Sequence, residues 1–141
     1  MALAEANGLQ IEYETRGEPD DRPLVLIVGL STQLVAWPDR FCDMLARAGH
    51  FVIRFDNRDV GLSTKMEDLG VPDLERMMQL GCAGPLAPPY TLSDMAADAV
   101  GLLDFLDLDQ AHICGLSMGG MIPQTMAIAM PARLASPISP E

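Results

Sequence analysis

The 141-residue sequence contains few basic side chains, few aromatics and only two histidines. Nine Lys and Arg residues stand against twenty Asp and Glu residues, so the formal net charge is −11. Because such a surface repels polyanions, we expect neither nucleic acid nor a membrane surface as a partner. No apolar run reaches the roughly 18 residues of a membrane-spanning helix, and no secretory leader is recognised at the N-terminus. These absences predict a cytoplasmic protein.

Cysteine is also scarce, with Cys42, Cys82 and Cys114 far apart in the sequence. An odd number of cysteines without a C-x-x-C pair argues against a disulfide framework and against a zinc site. The sequence has neither a G-x-G-x-x-G pattern after a strand nor a P-loop. We therefore expect free thiols, no metal and no cofactor.

What the sequence does contain is an alternation of apolar segments, within a chain that is 49% hydrophobic. Strand patterns cover residues 9–15, 24–28, 51–55 and 111–114, and helical patterns cover residues 37–48, 91–106 and 118–130. In the first helix, the predicted buried stripe consists of Phe41, Met44 and Leu45. Strands that alternate with helices predict a single α/β domain with a mostly parallel sheet.

Residues 65–90 interrupt this alternation with a long, irregular connection in which only residues 72–80 have a helical pattern. Long connections inside compact domains are commonly lids or binding loops. Two interpretations stay open, a lid over a cleft and an insertion without a role.

The most informative motif is a G-x-S-x-G pattern, in which Gly115 and Gly119 flank Ser117 between a predicted strand and a predicted helix. Glycines allow a tight turn that pushes the serine into the cleft, and the helix start supplies backbone N–H groups. Ser117 is therefore the candidate nucleophile. The N–H of Met118 is a candidate donor to the oxyanion of a tetrahedral intermediate.

Two further loops follow predicted strands and therefore belong at the same edge of the sheet. After residues 24–28 the chain continues through Gly29 and Leu30, and the Leu30 N–H is the candidate second oxyanion donor. After residues 51–55 come Asp56 and Arg58, which more often fix loops than contact substrate. We expect a loop-structuring role for these two side chains and for the glycines of both turns.

These motifs resemble the N-terminal half of an α/β-hydrolase-fold serine esterase. The group is the one that includes aclacinomycin methylesterase and pimeloyl-carrier methyl ester esterases. The similarity covers residues 24–37, 51–63 and 90–130. It implies Ser117 as nucleophile, Leu30 and Met118 as oxyanion donors, and a small-molecule ester as substrate. It also implies an eight-stranded sheet, of which residues 1–141 hold about five strands.

A serine nucleophile needs a general base, which in this fold is a histidine that follows the serine and a carboxylate in the chain. No histidine or aspartate follows Ser117. His50 and His112 precede or begin predicted strands, so they belong at the opposite edge, with His112 roughly 15 Å from Ser117. We therefore predict that neither histidine is catalytic and that the triad acid and base are absent from this chain.

The end of the sequence departs from the family pattern, because Pro137 and Pro140 fall where the next strand is expected. We expect residues 135–141 to form a tail without strand structure, which leaves the strand at 111–114 as an exposed apolar edge. Such an edge predicts self-association, or pairing with a chain that supplies the missing half.

Three functions stay open at this point. The first is a serine hydrolase for carboxylic esters, with an apolar acyl site that several methionines could line. The second is a catalytically inactive half-domain that acts through association. The third, which no feature of the sequence favours, is a carrier of lipids or small acids.

Overall fold

A computed structural model describes residues 1–70 and 88–138 of the chain. The elements in chain order are strands β1 (Ala2–Ala6), β2 (Leu9–Arg16) and β3 (Arg22–Ile27), helix α1 (Asp39–Arg47), strand β4 (His50–Phe55), helix α2 (Leu92–Phe105), strand β5 (Ala111–Gly115), helix α3 (Met118–Ala129) and strand β6 (Leu134–Ile138). Short 3-10 turns occupy Leu34–Ala36, Glu67–Leu69 and Pro131–Arg133.

The strands of the described residues form one mixed sheet in the order β1-β2-β4-β3-β5-β6. β1 and β2 are antiparallel to each other, and β2 is antiparallel to β4. β4, β3, β5 and β6 run parallel. The predicted α/β class with a mostly parallel sheet is confirmed. This arrangement brings the carboxyl ends of β3, β4 and β5 to one edge, where the candidate site lies.

Helices cover both faces of the sheet. α2 and α3 pack on the larger core cluster, which includes Leu102, Leu103 and Ile122. α1 packs on a smaller cluster on the other face, where Cys42 is fully buried. The predicted stripe of α1 is wrong in part, because Phe41 is 38% and Met44 58% exposed. Helix α1 begins only at Asp39, and Cys42 rather than Phe41 faces the sheet.

The start of α2 agrees with its sequence signals. The Thr91 hydroxyl accepts a hydrogen bond from the Asp94 N–H, and the Asp94 carboxylate accepts one from the Thr91 N–H. This reciprocal capping box satisfies backbone donors that a helix start otherwise leaves unpaired.

The structure corrects the prediction for the end of the chain. A sixth strand, β6, pairs in parallel with β5, and Cys114 lies opposite Ile138. Pro137 is tolerated because β6 is the last strand on that side of the described sheet and donates to no further strand. The expectation of about five strands is therefore too low, and the expectation that β5 forms an open edge is wrong.

The long connection lies only partly within the described residues. Residues 65–70 and 88–90 are described, whereas the predicted helix at 72–80 and Cys82 are outside that part of the chain. Whether the connection forms a lid stays a prediction. Among the described residues, no helix is both long and apolar enough to cross a membrane.

Candidate active site

Ser117 lies at the turn between β5 and α3, at the carboxyl end of the strand. Its φ of 56° falls in the left-handed region, which residues other than glycine rarely adopt. Although Ser117 occupies the N-cap position of α3, its hydroxyl makes no capping hydrogen bond. Backbone strain at this turn therefore presents a hydroxyl group that is not committed to the helix.

Both glycines of the motif are required by close backbone packing. A Cβ on Gly115 would lie 1.9 Å from the carbonyl oxygen of Gly119. A Cβ on Gly119 would lie 2.5 Å from the carbonyl oxygen of Val28. Since real Cβ atoms do not approach so closely, a side chain at either position would move the turn that holds Ser117.

The loop that follows β3 passes directly beside Ser117. A Cβ on Gly29 would lie 3.3 Å from the Ser117 Cβ and 3.7 Å from its Oγ. Within the described part of the chain, neither the Leu30 N–H nor the Met118 N–H donates a hydrogen bond to a protein acceptor. Both backbone N–H groups are thus without a protein acceptor at the two loops that meet at Ser117.

Two buried side chains after β4 fix this loop. The Asp56 carboxylate accepts hydrogen bonds from the Leu34 N–H at 2.7 Å and from the Leu62 N–H at 3.0 Å. The Asn57 side-chain amide donates to the Val28 carbonyl at 3.2 Å. Sequence reasoning selected Asp56 but missed Asn57, because its partner lies 29 residues away in the chain.

Arg58 forms a buried, two-point ion pair with Asp98 of α2. The Nε and Nη2 atoms of Arg58 each donate to a different Asp98 oxygen at 2.6 Å. The Asn7 side chain donates to the same carboxylate at 2.9 Å, and the guanidinium lies 5.4 Å from the Tyr90 ring centroid. The hydrogen bonds to Asp98 raise the pKa of Arg58 above its ordinary value. This geometry joins the loop to α2 and pairs the charge of Arg58 with Asp98.

An apolar cavity of about 470 Å³ opens beside Ser117 on the side of α1. Its lining comes from the loop after β3, the start of α1 and the serine turn: Val28, Gly29, Leu30, Thr32, Ala36, Trp37, Pro38, Phe41, Leu116 and Ser117. The rings of Trp37 and Phe41 stack with centroids 5.6 Å apart and an interplanar angle of 18°. We call this pair the aromatic wall. Sequence reasoning did not identify the aromatic wall, although Trp37 follows Leu30 by only seven residues.

Among the described residues, no methionine lines this cavity. Met126 is fully buried in the core, and Met121 is 52% exposed on α3. Met118 lines only a smaller cavity of about 80 Å³, near Arg58 and Tyr90. Met77 and Met78 fall outside the described residues. The alternative of a methionine-lined acyl site therefore finds no support in the described part of the chain.

The two histidines lie where the sequence predicts, away from Ser117. His50 begins β4 and His112 is the second residue of β5, and their ring centroids are 6.5 Å apart. The Nδ1 of His112 is 2.8 Å from the Ser136 hydroxyl oxygen. In the part of the chain that the structure describes, no group of three or more His, Cys, Asp or Glu side chains could hold a metal ion.

Comparison with known proteins places this arrangement in a family. The sequence pattern of the alpha/beta hydrolase fold matches residues 22–139. The chain therefore belongs to the α/β-hydrolase fold family.

Two relatives show which members it is similar to. Over 121 residues it is 39% identical to rhodomycin D methylesterase DnrP of Streptomyces peucetius, covering 86% of this chain and 35% of that protein. Over 128 residues it is 30% identical to 3-oxoadipate enol-lactonase 2 of Acinetobacter baylyi, covering 91% and 40%. The resemblance to methyl ester hydrolases is confirmed, and the chain spans less than half the length of both relatives.

Solved structures agree on the fold. The enol-lactonase from Burkholderia xenovorans LB400 superposes with a TM-score of 0.72 at 28% identity, covering 94% of this chain and 44% of that one. Epoxide hydrolase A from Mycobacterium thermoresistibile superposes with a TM-score of 0.73 at 25% identity, covering 95% and 36%.

Proposed function

We propose that this chain carries the nucleophile half of a serine hydrolase site for carboxylic esters. The observation on which the proposal depends is the position of Ser117. It lies in a strained turn against Gly29, beside two backbone N–H groups without protein acceptors. Similarity to a methylesterase and to an enol-lactonase supports ester substrates, because a lactone is a cyclic ester.

In the proposed reaction, Ser117 Oγ attacks the ester carbonyl while its proton passes to a general base. The N–H groups of Leu30 and Met118 stabilise the oxyanion of the tetrahedral intermediate. Its collapse breaks the ester C–O bond, and the alcohol leaves with the proton from the base. Water then hydrolyses the acyl-enzyme by the same route and frees the acid and Ser117.

The serine itself selects between the chemistries of this fold. Epoxide hydrolases and dehalogenases of the family use a carboxylate nucleophile at the elbow, whereas this chain has Ser117. A serine alkoxide forms an acyl-enzyme with an ester, which favours acyl transfer. The structural similarity to an epoxide hydrolase is therefore a likeness of fold, not of reaction.

The supporting loops have structural roles in this proposal. Asp56 and Arg58 hold the segments around the site in place through the bonds described above, and the glycines allow the close approach of backbone to Ser117. The general base is not among the described residues near Ser117. We propose that the imidazole is supplied from outside residues 1–141.

The test is hydrolysis of p-nitrophenyl butyrate by the wild type, Ser117→Ala and Ser93→Ala. Ser93 is an exposed serine in the first turn of α2 and serves as the matched control. With free imidazole in the buffer as the general base, we expect the wild type and Ser93→Ala to hydrolyse the ester faster than the buffer alone, and Ser117→Ala to fall to the rate of the buffer. Equal rates in all three proteins would contradict the proposal.

A second candidate is an inactive half-domain that acts through self-association. The observation that favours it is the exposure of large apolar side chains, with Leu30 at 71%, Leu62 at 69% and Ile128 at 85%. The edge of β5 no longer supports it, since β6 covers that strand. Absence of Ser117-dependent hydrolysis, together with a stable dimer in sedimentation velocity, would favour this candidate.

A further inference from the structure

Arg54 is a buried cation that lies behind the apolar cavity. It belongs to β4 and is 3% exposed. Its Nε donates to a Glu14 carboxylate oxygen at 2.9 Å, and its Nη2 donates to the carboxylates of Glu14 and Asp39. Its Nη1 donates to the backbone carbonyl of Trp37. One guanidinium thus joins β2, the start of α1 and the residue whose ring lines the cavity.

The sheet explains how this charge is held. Glu14 and Arg54 are direct cross-strand partners in the β2–β4 pair, so opposite charges face each other on the α1 side. Burial lowers the pKa of Arg54. The hydrogen bonds to Glu14 and Asp39 raise the pKa by more than burial lowers it, so the net shift is upward. The guanidinium is therefore charged at neutral pH.

The aromatic wall has few other polar attachments. The Trp37 N–H donates to the Leu34 carbonyl at 3.1 Å within a short turn. The indole Nε1 is buried and has no hydrogen-bond partner among the described residues. The ring is consequently held by stacking on Phe41 and by packing. The Trp37 carbonyl and the Asp39 carboxylate flank Pro38, and Arg54 holds both.

A buried ion pair is a weak source of net stability, because its desolvation offsets most of the Coulomb attraction. A guanidinium has one property that an apolar side chain or a lysine lacks, which is a rigid fork of donors. Here that fork reaches three acceptors on two elements at once. Its geometric contribution is to fix the distance between the sheet and the first turn of α1.

We propose that Arg54 is a positioning residue that fixes the aromatic wall beside Ser117. Through the wall, Arg54 sets the size of the apolar group that an ester can place in the cavity. The statement about ester size deepens the proposed ester hydrolase function and rests on it. The statement that Arg54 positions the wall does not depend on that function.

Trp37 is the single tryptophan of the chain, so intrinsic fluorescence reports on the wall directly. The test compares Arg54→Lys with Arg16→Lys. The matched control Arg16 donates to the same Glu14 at 2.6 Å and pairs with Asp39 and Asp43 of α1 at 3.9 and 3.5 Å, but it makes no bond to the Trp37 carbonyl. We expect Arg54→Lys to red-shift Trp37 emission and to increase acrylamide quenching. Arg16→Lys is expected to leave both as in the wild type.

Ester selection is measured by binding, without turnover, in the Ser117→Ala background. p-Nitrophenyl butyrate and p-nitrophenyl decanoate are titrated, and quenching of Trp37 reports binding. Because Arg54→Lys no longer fixes the position of the wall, we expect the ratio of the two dissociation constants to change by about tenfold. Changes of this size are typical when an apolar pocket is remodelled. Because no reaction occurs, failure of Ser117 chemistry does not affect this result.

Unchanged Trp37 quenching in a folded Arg54→Lys protein would overturn the proposal, as would an equal change in Arg16→Lys. Should Arg54→Lys lose its cooperative urea transition, Asp39→Asn replaces it under the same criteria. Asp39 is 69% exposed and accepts from the same Nη2, so its loss loosens the start of α1 while Arg54 keeps its bonds to Glu14. If Trp37 emission and quenching change but the ratio of dissociation constants does not, only the statement about ester size is overturned.

Discussion

At the scale of single residues, the space around Ser117 is controlled by backbone atoms and by the absence of side chains. Gly29 is the informative position, because its φ lies outside the left-handed region and the nearest atoms to a Cβ there belong to the Ser117 side chain and the Leu116 carbonyl. Gly8 is the opposite case, with a φ of +76° and open space around it. Substitution of Gly29 therefore tests contact with Ser117, whereas substitution of Gly8 tests backbone strain away from the site.

We predict that Gly29→Ala lowers the free energy of unfolding by about 1 kcal/mol or less. Its rate of Ser117-dependent ester hydrolysis is expected to fall about tenfold or more, since displacement of a reacting group by a fraction of an ångström is costly. Gly8→Ala is expected to lose about 1 kcal/mol through strain while the hydrolysis rate stays unchanged. Urea unfolding and hydrolysis assays check both; a normal rate in Gly29→Ala would refute the assigned contact.

The sequence predicted these residues unevenly. The serine turn and its glycines could be found because the whole motif lies within five consecutive positions. Arg54, Asn57 and Trp37 were missed, because what they do depends on partners 17 to 40 residues away. A local pattern carries no information about which distant carbonyl a side chain will reach.

At the scale of elements, buried ion pairs join pieces that would otherwise share few polar contacts. Arg58 and Asp98 connect the loop after β4 to α2, with Asp98 only 2% exposed. On the same helix, Asp104 pairs with Arg133 at 2.7 Å, but its side chain is 62% exposed. The two aspartates of α2 therefore allow a direct comparison of a buried and an exposed ion pair.

We expect Asp98→Ala to reduce the free energy of unfolding by about 3–5 kcal/mol, because it leaves the Arg58 guanidinium buried without its partner. Asp104→Ala is expected to lose less than about 1 kcal/mol, as exposed pairs do. Chemical denaturation of both variants provides the comparison. Similar losses in the two proteins would mean that the Arg58–Asp98 pair does not hold α2 to the loop.

The Glu14 carboxylate makes stability depend on pH. Burial raises its pKa, but hydrogen bonds from Arg54 and Arg16 outweigh burial and hold the pKa below the ordinary value of 4.5. A lowered pKa in the folded state adds stability above the unfolded-state value, and this stability is lost as the pH falls through the folded-state value.

Glu14→Gln is therefore expected to be less stable than the wild type at pH 7, with a difference that narrows as the pH falls below 4.5. The control Glu5→Gln, at an exposed position of β1, should follow the wild-type curve throughout. The measurement is the urea unfolding midpoint of the three proteins at several pH values between 3 and 7. A difference that stays constant over this range would show that the Glu14 charge does not contribute.

At the scale of the whole molecule, the parallel sheet and its covering helices were predictable, because the apolar pattern of each segment reports its own burial. Strand β6 was not predictable, because a proline such as Pro137 argues against a strand unless that strand is known to lie at the end of the sheet. The apolar cavity also escaped prediction, because its lining joins three separate segments. Sequence periodicity thus indicated the elements but not the surfaces between them.

Net charge bears on association of the whole chain. A charge of −11 opposes contact between copies, whereas exposed side chains such as Ile128 favour it. Since salt screens charge repulsion, we expect sedimentation velocity to show more self-association at high than at low ionic strength. Ile128→Glu should shift the distribution toward the monomer of 15.2 kDa. A monomer at every salt concentration would contradict the predicted self-association.

The central claim is that Ser117 is a nucleophile, and the most direct measurement is intact mass spectrometry after exposure to an alkyl fluorophosphonate with free imidazole present as the general base. We predict a single phosphonyl adduct, mapped to the peptide that contains Ser117, and no adduct on Ser117→Ala. The absence of an adduct on the wild type, or an equal adduct on both proteins, would contradict the account.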